Sequence, residues 1–118
     1  MSGSIIKTKS FELAILGVNF YKNLVNEKKE FVMSKQLLRS ITSVGANVRE
    51  AINAQSKADF IHKLSISQKE CDESMYWLEL LKETNYISNE DFDSIYPSCN
   101  EVLKILRSII ITTKKNNS

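Results

Sequence analysis

Side chains able to move protons, attack a substrate or hold a metal are few in this chain, and they are scattered. Cys71 and Cys99 are isolated thiols, and His62 is the single histidine. A structural zinc site takes about four Cys or His ligands, commonly in Cys-x-x-Cys pairs, so these residues do not assemble one. The Glu-x-x-His pairs of helical di-iron bundles do not occur. A serine nucleophile would depend on His62, with no Gly-x-Ser-x-Gly turn to present it. Neither Gly-x-x-x-x-Gly-Lys nor Gly-x-Gly-x-x-Gly is present to cradle a phosphate. The reading that follows is a protein that is not an enzyme, with no catalytic residues, no metal and no cofactor. His62 is expected on a helix surface, and both cysteines as small buried hydrophobes without a disulfide.

The elements that carry these residues are helices. With 118 residues there is room for one core, and a composition of 42% apolar and 25% charged residues is that of a folded domain. Three glycines and one proline are too few for the turns of an all-β fold. Ser10 is the expected N-cap of a first helix from Phe11 to Lys28, and Ser34 that of a second from Lys35 to Gln55. Ser56-Lys57-Ala58-Asp59 and Ser88-Asn89-Glu90-Asp91 have the capping-box form, opening a third helix to Asn85 and a fourth to Thr113. Pro97 should kink the fourth or detach its first turn. Short connections favour antiparallel neighbours. The predicted fold is therefore an all-α, antiparallel up-down-up-down four-helix bundle: one domain over 1–118, with 1–9 and 114–118 as flexible termini. No apolar run is long enough to span a membrane, and Met1–Ser10 lacks the apolar core of a signal peptide, so a cytoplasmic location is expected.

Apolar spacing assigns the core. Leu37, Ile41, Val44, Val48 and Ile52 share one face of the second helix. Phe60, Leu64, Ser67, Cys71, Ser74, Leu78 and Leu81 form the seam of the third; Phe92, Ile95, Cys99, Val102, Leu106 and Ile109 form that of the fourth. Steps of about 3.5 residues are those of a left-handed bundle. Two helices carry apolar surface beyond this seam. The first has Phe11, Ala14, Ile15, Val18, Tyr21 and Val25 on one side and Leu13, Leu16, Phe20 and Leu24 on the other. The third has a second stripe through Ile66, Trp77 and Leu80. A monomeric bundle helix shows one apolar stripe. Leu13, Leu16, Phe20, Leu24, Ile66, Trp77 and Leu80 are accordingly expected at a subunit interface, making the bundle a homo-oligomer.

A net charge of +2 marks no polycation, but the basic residues are unevenly placed. Between residues 34 and 56, Lys35, Arg39 and Arg49 face Glu50 alone, and they fall within a quarter of the helix circumference opposite the core seam. Three cations bind nucleic acid weakly, whereas a ring of such stripes adds phosphate contacts. No aromatic residue of that helix interleaves the stripe, so base stacking is not indicated. Asn47 and Glu50 read as structural polar positions; Ser40, Ser43 and Asn47 flank the apolar face, which Gly45 and Ala46 thin, and are expected to fix register within the bundle or between subunits.

Helices two and three also carry a resemblance. Ser43-Val44-Gly45-Ala46-Asn47-Val48-Arg49-Glu50-Ala51 resembles a Ser-Ile-Pro-Ala-Asn-Ile-Ala-Glu-Gly-like run. Phe60-Ile61-His62-Lys63-Leu64-Ser65-Ile66-Ser67, followed by Glu70, Glu73, Trp77-Leu78-Glu79-Leu80-Leu81 and Asn85-Tyr86-Ile87, resembles the next helix of the same family. That family is the 23S rRNA intervening-sequence proteins, bacterial four-helix bundles similar to the accessory protein of diversity-generating retroelements. Gly45, Ala51 and Asn85 depart from the pattern's Pro, Gly and Gly. The resemblance implies a homo-oligomer, typically a pentamer, that binds RNA or DNA and a protein partner such as a reverse transcriptase. Lys35, Arg39 and Arg49 are the residues carried forward as a nucleic-acid face. A protein-interaction scaffold with no nucleic-acid role is the alternative.

Overall fold

The computed structural model describes residues 2–116. Four helices, α1 (Ser2–Asn26), α2 (Met33–Ile52), α3 (Lys57–Glu83) and α4 (Asn89–Lys115), make up nearly all of this span, and no strand occurs among the described residues. Local chemistry places two of the starts as expected. Ser56 Oγ accepts the Asp59 N–H and Ser88 Oγ accepts the Asp91 N–H, each at 3.0 Å, satisfying a donor that a helix start leaves open.

The other two starts differ from expectation. Ser34 does not cap α2: it lies inside the first turn, and Glu30 does the capping. The Glu30 carboxylate accepts the N–H groups of Val32 at 3.1 Å, Met33 at 3.0 Å and Ser34 at 2.7 Å, while Ser34 Oγ donates to the Glu30 carbonyl at 2.7 Å. Lys29, in the left-handed region at φ 56°, turns the chain just ahead of this carboxylate. Burial pushes the Glu30 carboxyl up, but the N–H donors outweigh it and hold the group below the usual carboxylate range. Ser10 caps nothing either. α1 runs back to Ser2, Ser10 is buried within it, and its hydroxyl donates to the Lys7 carbonyl at 3.2 Å. Residues 2–9, expected outside the helix, continue it: no proline intervenes and Ile6 is buried in the core. At the other end α4 continues to Lys115, and residues 117–118 lie outside the described span.

α3 ends in a Schellman turn. Tyr86 N–H reaches the Leu81 carbonyl at 2.9 Å and Asn85 N–H that of Lys82 at 3.1 Å, with Asn85 at φ 66°. Asn tolerates this left-handed position better than most residues, so it serves where glycine is otherwise usual. α4 passes through Pro97 without a separate first turn. Pro97 and Asp93, whose carbonyl loses its helical donor there, are both exposed.

The predicted seams form the core. Leu37, Ile41, Val44, Val48, Leu64, Leu78, Leu81, Ile95 and Leu106 are buried, together with Cys71 and Cys99. Ile52 is the exception on α2: it is 43% exposed and Ala51 is buried instead. Phe60, Phe92 and Ile109 pack on the core edge without full burial.

Polar bonds in that core set the pairing. Ser74 Oγ donates to Ser40 Oγ at 2.9 Å, and Ser67 Oγ to the Val44 carbonyl at 2.8 Å, so numbers rise along α2 as they fall along α3. Cys71 Sγ donates to the Cys99 carbonyl at 3.3 Å and Tyr96 OH to Glu79 at 2.6 Å, so numbers rise along α3 as they fall along α4. Of the α2 residues expected to fix register, Ser40 bonds across to α3, whereas Ser43 and Asn47 donate to the Arg39 and Ser43 carbonyls of their own helix at 2.6 and 2.9 Å. α1 approaches α2 closely at two glycines. A Cβ on Gly17 would overlap the Ile41 side chain, and one on Gly45 would meet the Ser10 carbonyl oxygen at 3.3 Å. The helices contact in the order α1–α2–α3–α4, with α4 closing on α1. Their envelope measures 51 × 21 × 19 Å.

Candidate nucleic-acid interface

Lys35, Arg39 and Arg49 are exposed along α2. They form a line rather than a pocket: 14 positions of helix (35 to 49) at about 1.5 Å each make roughly 21 Å. The two ion pairs among the described residues, Lys63–Glu50 at 2.8 Å and Lys9–Glu101 at 3.4 Å, leave all three cations unpaired. Glu50, expected to be a structural polar residue, is exposed and serves Lys63. Its hydrogen bond and charge hold the Lys63 ammonium above its usual range. The carboxylate nearest in sequence to Arg49 is therefore engaged with α3.

One end of the line is more than electrostatic. The Arg49 guanidinium lies over the Phe11 ring at 5.3 Å from its centroid, although Phe11 belongs to α1. The close approach at Gly45 and Ser10 allows this contact, since a bulkier residue at position 45 would wedge the helices apart there. Beside it lies a depression of about 210 Å³, lined by Ser10, Ala14, Thr42, Gly45 and Ala46, with Lys7, Phe11 and Arg49 also on its wall. The aromatic group absent from α2 is thus supplied by its neighbour. Phe11 was legible as one of the apolar residues of the first helix, but its exposure and its pairing with Arg49 depend on which helices adjoin.

The expected subunit interface divides. Leu13 and Leu24 are 1% and 0% exposed, and Leu16 and Phe20 are partly buried against the same core. Leu13 and Leu24 therefore face inward and correct the expectation for α1, while Leu16 and Phe20 pack on the same core and stay partly exposed. A helix flanked by both α2 and α4 needs a wide apolar arc, and this stripe supplies it. The opposite side is the exposed one, with Phe11 at 52% and Ile15 at 47%. On α3, Ile66, Trp77 and Leu80 are half-buried at the surface. Trp77 packs on the core edge, donates its indole N–H to Glu73 at 3.3 Å and meets the exposed Tyr76 edge-on at 5.0 Å. Close by in sequence, Glu70 Oε1 is covered and has no hydrogen-bond partner.

His62 is exposed, and both cysteines are free and buried. Burial pushes the Cys71 thiol up to about 12 and raises Cys99 as well. Among the described residues no three His, Cys, Asp or Glu side chains gather as metal ligands. No helix among them is long and apolar enough to cross a membrane.

With the geometry in place, comparison with known proteins bears on the whole chain. The family model described as 23S rRNA-intervening sequence protein matches residues 3–108. The chain belongs to that family. Among solved structures it is similar to a protein of unknown function from the S23 ribosomal protein family of Bacteroides thetaiotaomicron. The two share 58% identity and a TM-score of 0.92, over 93% of this chain and 98% of that one. No curated protein matches.

Proposed function

We propose that this member of the 23S rRNA-intervening sequence family is a non-catalytic, cytoplasmic, nucleic-acid-binding accessory protein. Its bundle has up-down-up-down topology and works as a homo-oligomer, a pentamer by family resemblance. The single observation that supports nucleic-acid binding is the unpaired cationic line of Lys35, Arg39 and Arg49, continued onto α1 by Lys7 and Phe11. Each phosphate met by a cation releases counterions, so affinity grows with every copy of the line engaged. A protein partner such as a reverse transcriptase is expected from the resemblance.

A second reading, a protein-interaction scaffold, is favoured by the α3 surface. Ile66, Trp77 and Leu80, half-buried beside the exposed Tyr76, offer apolar area to another protein surface. In the favoured reading this stripe serves self-association. Fluorescence anisotropy of labelled RNA and DNA across a salt series separates the two. Nucleic-acid binding predicts a steep negative slope of log K against log[salt], about 0.7 per single-strand phosphate contact. Replacing Lys35, Arg39 and Arg49 together by alanine should flatten it by about two for each chain engaged. Binding that is absent at low salt and micromolar protein favours the scaffold. Light scattering at the single-chain mass overturns the oligomer.

A further inference from the structure

The proposed nucleic-acid face has one feature that a purely electrostatic surface does not need. Lys35 and Arg39 offer point contacts that phosphates of a duplex or a single strand satisfy equally. Phe11 is different: it remains 52% exposed even with the Arg49 guanidinium over its ring. Guanidinium and ring side by side, 5.3 Å apart, put an exposed aromatic surface next to a positive charge. The adjoining depression of about 210 Å³ has walls of small side chains and no carboxylate: Ser10, Ala14, Thr42, Gly45 and Ala46. Lys7 and Phe11 also line it, so a second cation adjoins the ring. Base pairs inside a duplex are stacked on each other and give such a platform nothing to hold. An unpaired base has a free π-face, and its own phosphate brings the charge that Arg49 and Lys7 attract.

We propose that this face takes single-stranded nucleic acid, with an unpaired base stacked on the Phe11–Arg49 platform and the flanking phosphates held by Lys7, Arg49 and the α2 cations. This rests on the nucleic-acid reading and specifies its substrate class. The expectation drawn from α2 alone, that stacking is not indicated, is thereby revised: the ring comes from α1.

The test compares a short single-stranded RNA carrying one 2-aminopurine with the same strand annealed to its complement, titrated with full-length protein at fixed salt. Tighter binding of the single strand, with quenching of the fluorescent base, is the expected result. Phe11→Ala should weaken single-strand binding by about 5- to 150-fold, the range for loss of one base–aromatic stack, and abolish the quenching. Duplex affinity and the salt slope should stay as in the wild type, and Phe11→Trp should retain single-strand binding. Circular dichroism verifies that each variant is folded, and the exposure of Phe11 makes this the expected outcome. Equal binding of both forms, lost on removal of Lys35 and Arg39 but indifferent to Phe11→Ala, overturns the stacking platform and leaves the electrostatic reading standing. No binding of either form at low salt overturns both.

Discussion

Glu30 is the residue whose replacement most directly tests how α2, and with it the cationic line, is held. Its carboxylate takes the first N–H groups of the helix, from Val32, Met33 and Ser34, at 3.1, 3.0 and 2.7 Å. A capping side chain is worth about 0.5–2 kcal/mol, and a negative charge at a helix N-terminus adds about 0.3–1 kcal/mol. Glu30→Gln keeps the shape, loses the charge and turns an NH₂ toward groups that are themselves donors; a cost of about 1–2 kcal/mol is expected. Glu30→Ala strands all three donors and should cost about 2–3 kcal/mol. For a chain of this size, each kcal/mol lowers Tm by about 3–6 °C.

The charge gives the prediction a pH signature. Because the folded-state pKa of Glu30 is lowered, its contribution is complete above the unfolded value of about 4.3 and is lost as pH falls through the lower folded value. The wild-type advantage over Glu30→Gln should therefore be constant from neutrality to about pH 5 and shrink below about pH 4. Other carboxylates titrate in both proteins and cancel in the difference. Urea unfolding followed by far-ultraviolet circular dichroism across this range is the assay. Equal stability at neutral pH, or a gap that acid leaves untouched, would refute the carboxylate cap.

The two sides of α1 make a matched pair of substitutions. Leu13→Ala, in the core at 1% exposure, should destabilise by about 2–5 kcal/mol, while Ile15→Ala, at 47% exposure, should change stability by no more than about 0.5 kcal/mol; denaturant midpoints showing the reverse order would return the leucine stripe to the surface. Cys71, pushed up to about 12 by burial, and Cys99 should both resist an aromatic disulfide reagent in the native protein at mildly alkaline pH and react together once urea unfolds the chain. Fast reaction of either thiol in native buffer would contradict their burial.

Much of the fold was legible along the chain because the signals are local. A serine followed three residues later by an aspartate is enough to start α3 and α4, since the donor and acceptor lie within one turn. The α2, α3 and α4 seams follow from helical periodicity, which sorts side chains by angle without knowledge of the partner. The family runs in α2 and α3 were also readable, and they placed the chain among its relatives before any geometry was considered. Local reading failed where a competing residue was nearby. Ser34 has the preferred cap chemistry, yet Glu30 has two oxygens and, placed just after the left-handed Lys29, reaches three donors at once. Ser10 had equal credentials, but Ile6 stabilises an earlier start.

Residue types and spacing alone thus determined an all-helical chain, the inward faces of three helices, two of its caps, its family, and the exposed line of Lys35, Arg39 and Arg49. Tertiary structure decided three further matters. It turned the Leu13–Leu24 side of α1 inward, because a helix with two apolar sides is oriented only by the neighbours that flank it. It gave register to Ser40 with the buried serines of α3 and not to Ser43 or Asn47, because a polar side chain sets register only if another helix's partner lies within reach. It brought Phe11 under Arg49, 38 positions away in sequence (11 to 49), because small residues at Gly45 and Ser10 let two backbones approach. Contact between helices is a property of their packing, and no pattern confined to one helix contains it.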